Sequence, residues 1–79
     1  MRFILSAGQE TSITVQLEPS GVEYTVNRGD YLIVEWPDGG EGSLLGGIDH
    51  SPNGLVVSEP QGGMSRIWNS NGKELSILG

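Results

Sequence analysis

Apolar and polar residues alternate along much of this chain, with the period of two that belongs to strands. In SITVQLE, Ile13, Val15 and Leu17 fall on one side, and Thr14, Gln16 and Glu18 on the other. VEYTVN repeats the pattern, with Val22, Tyr24 and Val26 set against Glu23, Thr25 and Asn27. Successive side chains of a strand point to opposite faces, so both segments read as half-buried strands. No segment keeps apolar residues at i, i+3, i+4 and i+7 over a helical length.

DYLIVEW is different. Leu32, Val34 and Trp36 form one face, but Tyr31 and Ile33 make the other apolar as well. A strand of that kind is central in its sheet or covered on both sides. Residues 31 to 36 are therefore expected in the middle of the structure. RFILS, GLVVSE, MSRIW and KELSIL are shorter strand candidates. SLLGGID is the least regular, and its Gly46-Gly47 pair suggests a bulge or a close approach of two backbones.

Turn signals separate these segments. All four prolines stand two residues before a glycine: Pro19-Ser20-Gly21, Pro37-Asp38-Gly39, Pro52-Asn53-Gly54 and Pro60-Gln61-Gly62. Proline presets φ for a turn, and glycine accepts the left-handed conformation that closes a hairpin loop. Asn71-Gly72 is a further hairpin signal, and Arg28-Gly29-Asp30 reads as a tight connection. Short connections pair consecutive strands antiparallel. The expected fold is all-β: an antiparallel meander of about seven or eight short strands, closed into a small barrel or folded into a two-layer sandwich. Residues 1 to 79 form a single domain without a visible linker or repeat.

Length and charge narrow the function. A chain of 79 residues has little core to spare, so its unpaired edge strands are candidates for homodimer formation. It has no cysteine, which excludes disulfides, thiolate metal sites and cysteine nucleophiles. Ten acids against four bases give a net charge of −6. That sign repels nucleic acid and anionic membrane surfaces, and attracts a basic protein partner. No apolar run approaches the ~20 residues of a membrane helix. The opening MRFILSAG is too short for the ~7–15-residue apolar region of a signal peptide. The expectation is a cytoplasmic protein.

Candidate chemistry is sparse. DHSPNG, residues 49 to 54, has the form D-x-S-x-N-G and resembles the opening of the EF-hand calcium loop. The resemblance implies that Asp49, Ser51 and Asn53 turn oxygens toward one hard cation such as calcium. Glu59, Asp38 or Glu41 would have to complete the site, because Pro60 occupies the position of the loop's bidentate glutamate. The alternative is a plain hairpin turn. His50 is the single histidine; it could serve as a base only for a serine brought from elsewhere, such as Ser6 or Ser65. The glycine-rich run at 39 to 42 lacks the lysine of a phosphate loop. A chain this short builds no deep sugar cleft around paired carboxylates. Arg28-Gly29-Asp30 spells an adhesion tripeptide but reads as a local turn.

Aromatic residues at strand ends complete the picture. Trp36 precedes the acidic turn that carries Asp38 and Glu41, and Trp68 precedes Asn69-Ser70-Asn71-Gly72. Trp36, Asp38, Glu41 and Trp68 are the candidate partner-binding residues, since tryptophan anchors interfaces and stacks on sugars. Against this, alternation places Trp36 with Leu32 and Val34 on a core face. The sequence reads as a small acidic, non-enzymatic binding protein that needs no cofactor. It docks a protein partner, in the manner of an inhibitor or immunity protein, or associates with itself. The alternative is a module for calcium or carbohydrate built on residues 49 to 54 and the tryptophans. A small enzyme or enzyme subunit is the third reading.

Overall fold

A computed structural model describes residues 1–9, 12–37, 46–60 and 64–78. These residues contain eight strands. They are β1 (Arg2–Ser6), β2 (Ser12–Glu18), β3 (Val22–Asn27), β4 (Tyr31–Glu35), β5 (Gly47–Ser51), β6 (Gly54–Ser58), β7 (Arg66–Asn69) and β8 (Glu74–Leu75). No helix occurs among the described residues, so none there is long and apolar enough to cross a membrane. The strands form two sheets of four, in the orders β1-β4-β7-β8 and β3-β2-β6-β5. The fold is the two-layer sandwich, and not a closed barrel.

Alternation explains the layers. Val15, Val26, Val34, Val57 and Ile67 have at most 2% of their surface exposed and meet between the sheets. Burying each such side chain contributes roughly 1.5–3 kcal/mol. β4 is central in the first sheet, between β1 and β7, as expected for a strand apolar on both faces. Only one of its faces is covered by the second sheet. Leu32 and Val34 are buried there, while Tyr31 and Ile33 on the other side are half-exposed.

The connectivity departs from a simple meander. Consecutive strands pair at β2–β3, β5–β6 and β7–β8. β1 pairs instead with β4, because the chain crosses to the second layer after β1 and returns after β3. Crossing lets each amphipathic hairpin cover the apolar face of the other layer. β2 and β6 run parallel, a pairing of strands distant in sequence that hairpin logic does not generate. Gly54 permits it: with φ at +151°, a Cβ there would lie 2.1 Å from the carbonyl oxygen of Thr14. The Thr14 amide donates to the Asn53 carbonyl at 3.1 Å, which ties the Pro52-Asn53 turn to β2.

The Gly46-Gly47 pair marks a close approach, as its sequence suggested. A Cβ on Gly46 would lie 2.7 Å from the Ser58 carbonyl oxygen and 2.9 Å from the Trp36 ring. The strand expected in SLLGGID starts only at Gly47, and residues 43 to 45 lie outside the described residues. The Glu18–Pro19 peptide bond is cis. In the last hairpin, the Asn69 side chain accepts from the amides of Asn71 and Lys73, both at 3.0 Å.

Candidate interaction surface

The outer face of the first sheet is built by register. Arg2 pairs with Glu35 across β1 and β4, and Glu35 with Arg66 across β4 and β7. One row along, Ile4 pairs with Ile33 and Ile33 with Trp68. All these side chains point away from the core, since their neighbours Leu5, Leu32, Val34 and Ile67 point into it. Ile4 is 62% exposed. The result is an apolar row, Ile4–Ile33–Trp68, beside a charged row.

Trp68 is held in place by cations. The guanidinium carbons of Arg2 and Arg66 each lie 4.9 Å from the centre of its ring. Such contacts are worth about 0.5–1 kcal/mol each where they are exposed. Both arginines are themselves anchored. Arg2 Nε donates to Glu35 Oε2 at 2.7 Å, and Arg66 donates to both oxygens of Glu74, at 2.9 and 2.8 Å. The hydrogen bonds from Arg66 hold the Glu74 carboxyl below its usual range, and the same hydrogen bonds, with the Glu74 charge adding to them, raise the Arg66 pKa. An aromatic ring fixed this way loses little rotamer freedom when a partner covers it.

The outer face of the second sheet has the opposite character. Glu23, Gln16, Val56 and Asp49 form one row across β3, β2, β6 and β5. Thr14, Thr25, Glu18 and Ser58 flank that row on the same face, and no base points outward from these four strands. The two broad faces are thus one aromatic and charge-balanced, the other polar and acidic.

The two tryptophans part company. Trp36 is only 5% exposed, and corrects the expectation that it anchors a partner. Its ring meets Phe3 edge-on with centroids 4.7 Å apart, and its backbone pairs with Met1 in both directions. Trp36 is therefore a core residue, as its alternation with Leu32 and Val34 indicated. Its Nε1 is buried without a hydrogen-bond acceptor among the described residues. Asp38 and Glu41 lie outside the described residues.

The segment at 49 to 54 forms the tip of the β5–β6 hairpin, with Pro52-Asn53 as a two-residue loop. Asp49 and Ser51 share the outer face of β5, while Asn53 sits in the turn. Glu59, one of the acids that could complete a cation site, is engaged elsewhere: its Oε2 accepts from the Ser65 amide and hydroxyl at 2.7 and 2.8 Å. Among the described residues no cluster of three or more His, Asp or Glu side chains is placed to hold a metal ion.

His50 lines an open cleft of about 490 Å³ between the end of β1 and the β5–β6 hairpin, together with Ser6, Ser12 and Ser51. Ser6 lines the same cleft as the histidine, but no hydrogen bond joins His50 to a serine among the described residues. Asp49 pairs across from Val56 and His50 from Leu55, so alternation sends the acid and the histidine to opposite faces. Ser65 is buried against Glu59 and does not line this cleft. In the Arg28-Gly29-Asp30 turn, Asp30 accepts from the Tyr31 amide at 2.8 Å and Arg28 reaches Gln9 at 3.3 Å. Hydrogen bonds from Ser70 and from the Tyr31 amide lower the Asp30 pKa. The Asp30–Tyr31 contact is local, as the sequence suggested, while Arg28 and Asp30 also reach Gln9 and Ser70, which are distant in the chain.

No family model, curated protein or solved structure matches this chain.

Sequence reading selected Trp68 but not its setting. Ile4, Ile33, Arg2 and Arg66 come from strands whose neighbours were unknown. The signal in the sequence was the second apolar face of DYLIVEW, where Tyr31 and Ile33 alternate with core residues.

Proposed function

We propose that this chain is a non-enzymatic interaction domain that docks a protein through the outer face of its first sheet. The observation that supports this reading is Trp68, half-exposed beside Ile33 and Ile4 and held between two anchored arginines. Interface hot spots are rich in Trp and Arg, centred on apolar contacts with a polar rim. All three features meet on this face. The acidic excess lies off it, because Arg2 and Arg66 are balanced there by Glu35 and Glu74. The acids elsewhere act at a distance, on the rate of encounter more than on the contact itself.

The test compares immobilised wild-type protein with an Ile4→Glu variant. That position is 62% exposed, so the new carboxylate leaves the core intact and places a charge in the apolar row. Wild type should retain a protein, a further copy of the chain included, that the variant releases. Equal retention by the two would overturn the reading.

A further inference from the structure

We infer that the partner of this face is a second copy of the chain, related by a two-fold axis that runs along the strands between β4 and β7. The inference rests on the reading of that face as a docking surface and names its occupant.

Charges alternate across the sheet. Arg2 positive, Glu35 negative and Arg66 positive share one register row on β1, β4 and β7, while Glu74 lies one row along on β8, opposite Trp68. A two-fold axis parallel to the strands and between β4 and β7 exchanges those two strands in the facing copy and keeps each row. Glu35 then faces Arg66 of the second copy, and Arg66 faces its Glu35. An axis across the strands either sets like charge on like, where it passes through the charged row, or sets the charged row against Ile4, Ile33 and Trp68, where it passes between the rows, so the axis along the strands is favoured. The favoured axis passes between Ile33 and Trp68, which are register partners on β4 and β7. Each Trp68 therefore covers the Ile33 of the other copy. This is the self-complementary patch that an isologous dimer requires.

Net charge singles out the same face. The chain carries −6 in total, with four bases and ten acids. The four charges on this face sum to zero. The outer face of the second sheet carries Glu18, Glu23 and Asp49 without a base. Two copies meeting there would press acid on acid.

The face is small. Four strands about 4.8 Å apart and about 17 Å long cover less than the ~800 Å² per partner of a standard interface. A weak dimer follows, with a dissociation constant on the order of 100 μM.

Sedimentation equilibrium from about 10 μM to about 1 mM tests this range. Wild type should shift from monomer to dimer. Glu35→Arg and Arg66→Glu should each be monomeric, because each sets like charges against one another beside the axis. An equimolar mixture of the two should recover the dimer, since positions 35 and 66 are then opposed by the other sign. Ile4→Glu provides a variant at an exposed site whose folding does not depend on the charged row. It too should weaken the dimer, by about tenfold or more. Wild type that stays monomeric at the highest concentration overturns the second copy as occupant. If Ile4→Glu still loses another protein that wild type retains, the docking face itself survives. A dimer indifferent to all three substitutions overturns the second copy as the occupant of this face, and points to pairing at the edge strands.

Discussion

Gly54 passes so close to Thr14 that a Cβ built on it would lie 2.1 Å from the Thr14 carbonyl oxygen. The obstacle is backbone, and that backbone is itself fixed in the β2–β6 ladder. Gly54→Ala must therefore push the two strands apart, and it also forces a side chain into the left-handed region at φ +151°. Gly21 has φ +80°, and a methyl group there would meet nothing within 4 Å. Gly21→Ala thus carries the conformational penalty alone, about 1–2 kcal/mol. Urea midpoints should separate the pair clearly. Gly54→Ala should lose several kcal/mol, a large part of the ~5–15 kcal/mol typical of a folded domain. Equal midpoints for the two variants would contradict the parallel pairing.

The same glycine marks where sequence reading stopped. β2 and β3 were legible to the residue, because Ile13 to Glu18 and Val22 to Asn27 alternate without interruption. Alternation records which face a residue occupies, but not which strand lies alongside. The β1–β4 and β2–β6 pairings depend on contacts far apart in sequence, so they were not readable. β5 was blurred because its inward positions, Ile48 and His50, lie at the sheet edge and are exposed. Edge positions relax the demand for an apolar residue. The Trp68 setting needed Arg2 on β1 and Arg66 on β7, flanking β4 from both sides.

Two isoleucines on opposite faces of the first sheet give a calibrated comparison. Ile67 has no exposed surface, whereas Ile4 is 62% exposed. Ile67→Ala leaves a cavity between the layers and should cost about 2–5 kcal/mol. Ile4→Ala should change stability by no more than about 0.5 kcal/mol. If Ile4→Ala destabilises as much as Ile67→Ala in thermal unfolding, the face assigned as outward is in fact part of the core.

Ser65 is the buried polar residue that joins the end of β6 to the start of β7. Its amide and hydroxyl both donate to Glu59 Oε2. Hydrogen bonds to a charged group contribute about 1.5–3 kcal/mol. Ser65→Ala removes one of the two and leaves the carboxylate with the backbone donor, so a loss of that order is expected. Denaturation of Ser65→Ala, of Glu59→Gln and of the double variant should show strong non-additivity, because the two side chains share one interaction. Additive losses would mean that they act separately.

The Arg66–Glu74 pair makes the Trp68 setting dependent on pH. Hydrogen bonds from Arg66 are the main cause that places the Glu74 pKa below its ordinary value of 4.5, with the Arg66 charge adding to them. The folded protein thus binds this proton more weakly than the unfolded chain. The pair's stabilisation is complete above pH 4.5 and disappears as pH falls through the lower folded value. An exposed pair of this kind is screened by solvent, so the change in global stability is small. The local change is larger, because protonated Glu74 releases the guanidinium that lies against Trp68. The Arg66 Nε–H resonance should stay constant from about pH 7 down to about pH 5 and move only below that. Glu74→Gln should abolish the transition, since a neutral amide has no proton to gain. A shift centred near neutral pH, or one that persists in Glu74→Gln, would assign the transition to a different group and remove Glu74 as the anchor of Arg66.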